Sequence, residues 1–291
     1  MRLPSPVVEL ADDRLSRRGI RLFLKRDDLI DPELPGNKWR KLKYNLDDAR
    51  RQGHGTLLTF GGAYSNHIRA TAAAGRRFGF ATIGVIRGEE HLPLNDSLAY
   101  ATEQGMQLGY LDRGAYRRKQ EADVIDALRA RWGRFHLIPE GGSNAWAVRG
   151  CAELPAEIGE PFDVICCACG TGGTLAGIAA GLRPGQRALG FSALRGERFL
   201  DAETERLQHE AYGAGSGNWS IEYGFHFGGY ARRTPVLDGF IDDFTARHGL
   251  RPDWVYVAKM LYGIFTMAER GAFQDGTRIM AVITGSGQER Q

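Results

Sequence analysis

Short β-rich runs alternate with helical patterns along most of the chain, and glycine pairs stand where a strand pattern gives way to a helical one. The strand candidates are Leu22–Lys25, Thr56–Phe60, Thr82–Ile86, Gln107–Leu111, His136–Ile138, Val164–Cys167, Ala188–Ser192 and Arg278–Ile283. Helical spacing marks Asn37–Gln52, Ser65–Phe78, Asp96–Gln104, Tyr116–Trp132 and Thr171–Leu182; in the last, Leu175, Ile178, Ala179 and Leu182 share one face. This alternation predicts βαβ units and mostly parallel sheets, an α/β fold.

Glycine makes up 39 of the 291 residues, nearly twice the share of roughly 7% in an average protein. No Gly-X-Y period runs through the chain, and 43% hydrophobic with 25% charged residues argues against global disorder. The glycines cluster at Gly61-Gly62, Gly141-Gly142, Gly170/Gly172/Gly173, Gly228-Gly229 and Gly285/Gly287. The first three clusters sit at strand-to-helix junctions, the edge where open α/β sheets bind ligands. The excess therefore reads as largely site-forming, which favours a small-molecule enzyme.

Charge and cysteine narrow the setting. With 38 Lys+Arg against 35 Asp+Glu, the net charge is +3, spread without the basic stripe of a nucleic-acid binder. Arg76-Arg77 and Arg117-Arg118-Lys119 read as solvated helix faces. Of the four cysteines, Cys166, Cys167 and Cys169 share one apolar run with no histidine at ligand spacing, so buried thiols are expected and a metal is not. Met1–Leu10 lacks the apolar core of a signal peptide and no apolar stretch approaches membrane-spanning length. A cytoplasmic protein with no membrane partner is expected.

Three segments carry chemistry. Cys169-Gly170-Thr171-Gly172-Gly173-Thr174 follows an apolar strand and opens a helix, where close backbone approach and free N–H groups suit an oxyanion. It lacks the Gly-Lys-Ser/Thr of a P-loop, and Leu175 stands where a dinucleotide fingerprint needs its third glycine. A phosphate cup and an empty tight turn both remain open. In Pro35-Gly36-Asn37-Lys38, Asn37 reads as an N-cap that puts Lys38 in the first helical turn. The positive helix end, with Arg40 and Lys41 nearby, should lower the Lys38 pKa and make a nucleophile able to form a Schiff base. A surface lysine at a helix start is the plainer reading. Gly61-Gly62-Ala63-Tyr64-Ser65-Asn66-His67 reads as a second anion site, suited to a carboxylate, or simply as a helix cap. Glu140-Gly141-Gly142-Ser143-Asn144 repeats that pattern with the same two readings.

In combination these segments resemble pyridoxal-phosphate enzymes of the tryptophan-synthase-β fold (fold type II). Gly36-Asn37-Lys38-Trp39-Arg40-Lys41-Leu42, Tyr64-Ser65-Asn66-His67, Gly141-Gly142-Ser143-Asn144, Gly170-Thr171-Gly172-Gly173-Thr174-Leu175-Ala176-Gly177, Val255-Tyr256-Val257-Ala258-Lys259 and Thr284-Gly285 stand in the order of one family. The pattern is similar to the 1-aminocyclopropane-1-carboxylate deaminase/D-cysteine desulfhydrase family across nearly the whole chain. The resemblance implies a small domain, residues 46–150, inserted into a large domain of residues 1–45 and 151–291. It also implies a homodimer acting on a small amino acid.

Roles follow from the resemblance position by position. Lys38 would hold pyridoxal 5'-phosphate and then move substrate protons. Gly170, Thr171, Gly172, Gly173 and Thr174 would hold the phosphate, and Asn66 the ring hydroxyl. Ser65 would meet the substrate carboxylate or a proton in transit, with Tyr230 and Tyr256 beside the substrate. Deaminases of the family typically carry Glu and Leu where this chain has Val257 and Thr284, and desulfhydrases carry Thr at the latter. A Thr284 hydroxyl at the ring nitrogen makes a weaker electron sink, suited to expelling thiolate. Tyr64 for a common Gln and Val257-Ala258 for Thr-Gly are further departures. The reading is desulfhydrase-like β-elimination. Deamination of the cyclopropane acid and non-catalytic binding of a phosphate ligand or of pyridoxal phosphate are the alternatives.

Overall fold

The computed structural model describes residues 1–196 and 198–285; Gly287, grouped above with Gly285, lies outside them. Ten strands are present among these residues: β1 (Val7–Leu10), β2 (Arg21–Lys25), β3 (Thr56–Gly61), β4 (Ala81–Arg87), β5 (Met106–Leu111), β6 (His136–Ile138), β7 (Val164–Cys169), β8 (Arg187–Ser192), β9 (Trp219–Glu222) and β10 (Arg278–Val282). They form a six-stranded sheet, β1-β2-β10-β7-β8-β9, and a four-stranded sheet, β5-β4-β3-β6. Every pairing is parallel except β1 with β2, as the alternation predicts.

Helices cover the sheets, which explains the composition of the central strands. All six residues of β7, Val-Ile-Cys-Cys-Ala-Cys, are buried, the near-continuous apolar run of a doubly covered parallel strand. Its thiols are free and buried among Leu, Ile and Val side chains. Phe60, Leu58 and Val85 form the core on one side of the smaller sheet, and Leu42, Leu46 and Ala49 of the helix Asn37–Arg51 pack with Leu57 and Ala70 on the other.

Three expectations need correction. The expected helix Tyr116–Trp132 is broken into Arg113–Arg117 and Ala122–Trp132, with Asp112 capping the first. Lys119, in the break, is only partly solvated: it pairs with Glu140 at 3.1 Å. The glycine excess is also only partly site-forming. A Cβ on Gly150 would fall 1.9 Å from the Arg40 carbonyl oxygen, and one on Gly177 would fall 2.4 Å from that of Val148. These glycines let the helices Asn37–Arg51, Ala145–Cys151 and Gly173–Ala180 pack backbone against side-chain-free backbone.

Candidate active site

A cleft of about 1200 Å³ opens where segments following β3, β6, β7 and β10 meet the start of the helix Asn37–Arg51. Of the residues singled out from the sequence, it gathers Lys38, Ser65, Asn66, Gly170, Thr171, Gly172, Thr174, Tyr230, Tyr256 and Thr284. Gly173 lies behind the lining, where an added Cβ would meet Ser143 Oγ at 2.6 Å.

Lys38 stands in the first turn as expected, but Gly36, not Asn37, is the N-cap. Gly36 has φ +63°, and its absent Cβ would be 2.0 Å from the Thr284 carbonyl oxygen, so only glycine brings the helix start this close to the end of β10. The Asn37 side chain is thereby released from capping, and its Nδ2 donates to Thr174 Oγ1 at 2.7 Å. The Lys38 amine has its pKa lowered to about 7, chiefly by desolvation and then by the Lys41 charge. Arg40 does not share in this: its guanidinium is fully engaged by Asp27 and Glu157, each at 2.7 Å, in an almost fully buried pair of forks. Those forks anchor the helix from beneath instead.

The glycine loop is built around Gly172, whose φ of +73° is left-handed, and the helix begins at Gly173 rather than Thr171. No side chain caps that helix. Beside it lies Lys41, which the sequence reading used only as a neighbouring charge. Lys41 is 3% exposed, and its Nζ donates to Ser143 Oγ at 2.9 Å, to the Gly141 carbonyl at 3.0 Å and to Thr171 Oγ1 at 3.4 Å. Among the described residues no carboxylate pairs with it, and burial lowers its pKa. The signal in the sequence was its spacing: three residues after Lys38, it shares that helix face. A buried cation held only by neutral oxygens, next to an uncapped helix N-terminus, fits a dianionic phosphate.

Ser65 caps the helix Asn66–Phe78, accepting from His67 N at 3.2 Å and Ile68 N at 3.4 Å. Capping uses the oxygen's lone pairs and leaves its proton free to donate, so the two readings of this serine are compatible. Asn144, by contrast, caps the helix Ala145–Cys151 and pairs with Asn45 at 2.7 Å, away from the cleft lining. His67 is buried against Thr59 Oγ1 at 2.8 Å. Because Thr59 donates to the Ile138 carbonyl, the imidazole is the donor to Thr59. Desolvation, then the Lys38 and Lys41 charges, keep His67 neutral, with its pKa well below the usual value.

Tyr230 and Tyr256 meet edge to face, ring centroids 6.0 Å apart. Burial raises the Tyr256 pKa well above the usual value, so its hydroxyl keeps its proton. Asp253 fixes this segment by accepting from the amides of Val255, Tyr256 and Val257 at 3.0–3.1 Å. Val257 itself is fully buried in the core and does not line the cleft. Its side chain therefore bears less directly on the cofactor than the sequence comparison implied, whereas Thr284 is in the lining.

Residues 2–285 match the family model described as pyridoxal-phosphate dependent enzyme. The chain belongs to that family. Pyridoxal phosphate is thus the cofactor that the glycine loop, Lys41 and Lys38 fit. Among relatives, the chain is 30% identical over 290 residues to a Pyrococcus furiosus protein named as a candidate 1-aminocyclopropane-1-carboxylate deaminase, covering 92% of this chain and 85% of the relative. It is 28% identical over 286 residues to the D-cysteine desulfhydrase of Yersinia enterocolitica, with 92% and 87% covered. A solved structure described as an ACC deaminase homologue superposes with TM-score 0.82 at 28% identity, covering 97% of this chain and 89% of that one. The fold-type-II α/β architecture read from the sequence is therefore the one observed. Among the described residues no helix is long and apolar enough to cross a membrane.

Proposed function

We propose that this pyridoxal-phosphate enzyme catalyses β-elimination from a small amino acid of the D-cysteine type, releasing sulfide, ammonia and a keto acid. The observation that carries this reading is the Lys38 amine, with a pKa brought to about 7, in one cleft with the glycine loop, Ser65 and two tyrosines. When bound, the cofactor supplies the electron sink for charge developing at the substrate α-carbon. Gly170–Thr174 and Lys41 would hold its phosphate, Asn66 its ring hydroxyl, and Lys38 its aldehyde carbon. With a pKa of about 7, the Lys38 amine is about half unprotonated at neutral pH and would take the substrate α-proton. Ser65 uses its free proton toward the substrate carboxylate. Tyr256, kept protonated, would donate to the departing group, with Tyr230 beside it. Thr284, in the cleft lining, would offer the ring nitrogen a hydroxyl rather than a carboxylic acid, which would suit a leaving group as good as thiolate.

A second reading, deamination of 1-aminocyclopropane-1-carboxylate, is favoured by the names of the Pyrococcus relative and the solved homologue. Purified protein is expected to be yellow and to be bleached by borohydride with the cofactor fixed on Lys38. Sulfide release from D-cysteine, compared with ammonia release from the cyclopropane acid, then chooses between the two. Activity on the latter alone would reverse the assignment made from Thr284.

The same proposal includes a large domain of residues 1–45 and 151–291, a small domain of residues 46–150, a cytoplasmic location and a homodimer. The domain division is supported by the smaller sheet, all of whose strands fall between Thr56 and Ile138. Family resemblance supports the dimer, which sedimentation of the purified protein tests.

A further inference from the structure

Lys259, on the helix Val257–Glu269, is 1% exposed and does not line the cleft. Its Nζ donates to the Gly229 carbonyl at 2.7 Å and lies 3.5 Å from that of Ala193. No carboxylate forms a salt bridge with it among the described residues. Desolvation lowers its pKa to about 8, and the Asp253 charge opposes that shift. An ammonium buried on neutral carbonyls is costly where an apolar side chain would pack without penalty. The carbonyl it chooses indicates what that cost accomplishes.

Gly229 belongs to the segment of most strained backbone. Phe227, Gly228, Gly229 and Ala231 have φ of 51°, 93°, 116° and 49°, and Phe227 and Ala231 are the non-glycine residues with positive φ among those described. Such conformations persist only where the surroundings impose them. Phe227 is held at one end by packing against Tyr262, ring centroids 4.9 Å apart. Lys259 holds the middle, at the peptide unit joining Gly229 to Tyr230. Tyr230 is 43% exposed, so its own packing does not fix it, yet it meets Tyr256 in the cleft. Through the Ala193 carbonyl the same amine reaches the segment following β8, a second fixed point.

We propose that Lys259 is a positioning residue which, through the Gly229 carbonyl, holds Tyr230 against Tyr256 on the substrate side of the cleft. The consequence for turnover rests on the function proposed above; the holding does not.

The test is Lys259→Met, close in length and unable to donate. With cofactor bound at wild-type stoichiometry, hydrogen exchange of the amides of residues 227–232 is expected to rise about tenfold while β7 and the helix Val257–Glu269 stay protected. Unchanged exchange in this loop, or exchange raised throughout the protein, overturns the proposal. In kinetics, Lys259→Met and Tyr230→Phe should each lower kcat about 10- to 100-fold with smaller changes in KM, since misplacing a reacting group by about 1 Å costs that much. The double variant should lose little more than either single one, because each removes the contribution of a correctly placed Tyr230 hydroxyl. Losses that multiply, or wild-type kcat in Lys259→Met, contradict it. Should the Met variant not fold, Lys259→Leu, which also cannot donate, goes through the same cycle. If neither substrate turns over in the wild-type protein, the functional reading fails, and the exchange measurement alone decides the holding role.

Discussion

Asn37 Nδ2 donates to Thr174 Oγ1 at 2.7 Å, tying the helix that carries Lys38 to the glycine loop across 137 positions of sequence. The threonine oxygen accepts from Asn37 and so keeps its own proton for a ligand in the cup. Asn37→Ala should leave the fold intact and weaken pyridoxal-phosphate affinity about fivefold, the effect of one neutral hydrogen bond of about 1 kcal/mol. Fluorescence titration of the apoprotein measures this. Wild-type affinity would mean that the link orients nothing the cofactor uses.

Gly36 controls the same junction from the backbone. Its φ of +63° and the Thr284 carbonyl oxygen, 2.0 Å from any Cβ, leave no room for alanine. The left-handed conformation costs roughly 1–2 kcal/mol for an L-residue, and the backbone clash should bring the total for Gly36→Ala above about 3 kcal/mol. Denaturant unfolding of the apoprotein reports the loss as a lower midpoint at unchanged slope. A variant as stable as wild type would show that the helix start can move away from Thr284 freely.

How far the sequence discloses this molecule depends on the range over which each signal acts. The central strands of the two sheets are legible because their apolar runs are buried on both faces; β7 is the extreme case. β1 and β9 escape notice because four-residue edge strands with partly exposed side chains carry no decisive pattern. The site is legible as motifs, and Lys38, Ser65 and the glycine loop do meet in the cleft. For Lys41 the spacing shows only that it shares the Lys38 face; its partners Gly141, Ser143 and Thr171, at least 100 positions away, are not legible. Nor is the inward burial of Val257, which follows from Asp253 accepting the three amides that turn this segment into its helix.

Lys41→Met separates phosphate binding from everything else the cleft does. The charge lies among neutral oxygens at the cup and should contribute about 1.5–3 kcal/mol to holding a phosphate, the range for hydrogen bonds to charged groups. Affinity for pyridoxal phosphate should fall about 10- to 100-fold, while affinity for pyridoxal, which lacks the phosphate, should barely change. Parallel titrations with the two aldehydes decide the point. Equal losses for both would assign Lys41 to the fold rather than to the cup.

The Lys38 pKa sets a pH profile whose direction is fixed. Only the unprotonated amine attacks an aldehyde, and with a pKa of about 7 in place of the usual lysine value, half of it is available at neutral pH. The rate at which apoprotein takes up pyridoxal phosphate, followed by absorbance at limiting cofactor, should rise from pH 6, reach half its maximum near pH 7 and level off by about pH 8.5. Lys41 contributes to the shift through like-charge repulsion, so Lys41→Met should raise the Lys38 pKa and move the half-maximum to higher pH. Desolvation, the larger cause, remains in that variant, so the profile should stop short of an ordinary lysine's. A wild-type rate still climbing beyond pH 9 would show that the amine is solvated and that the cleft does not prepare it for attack.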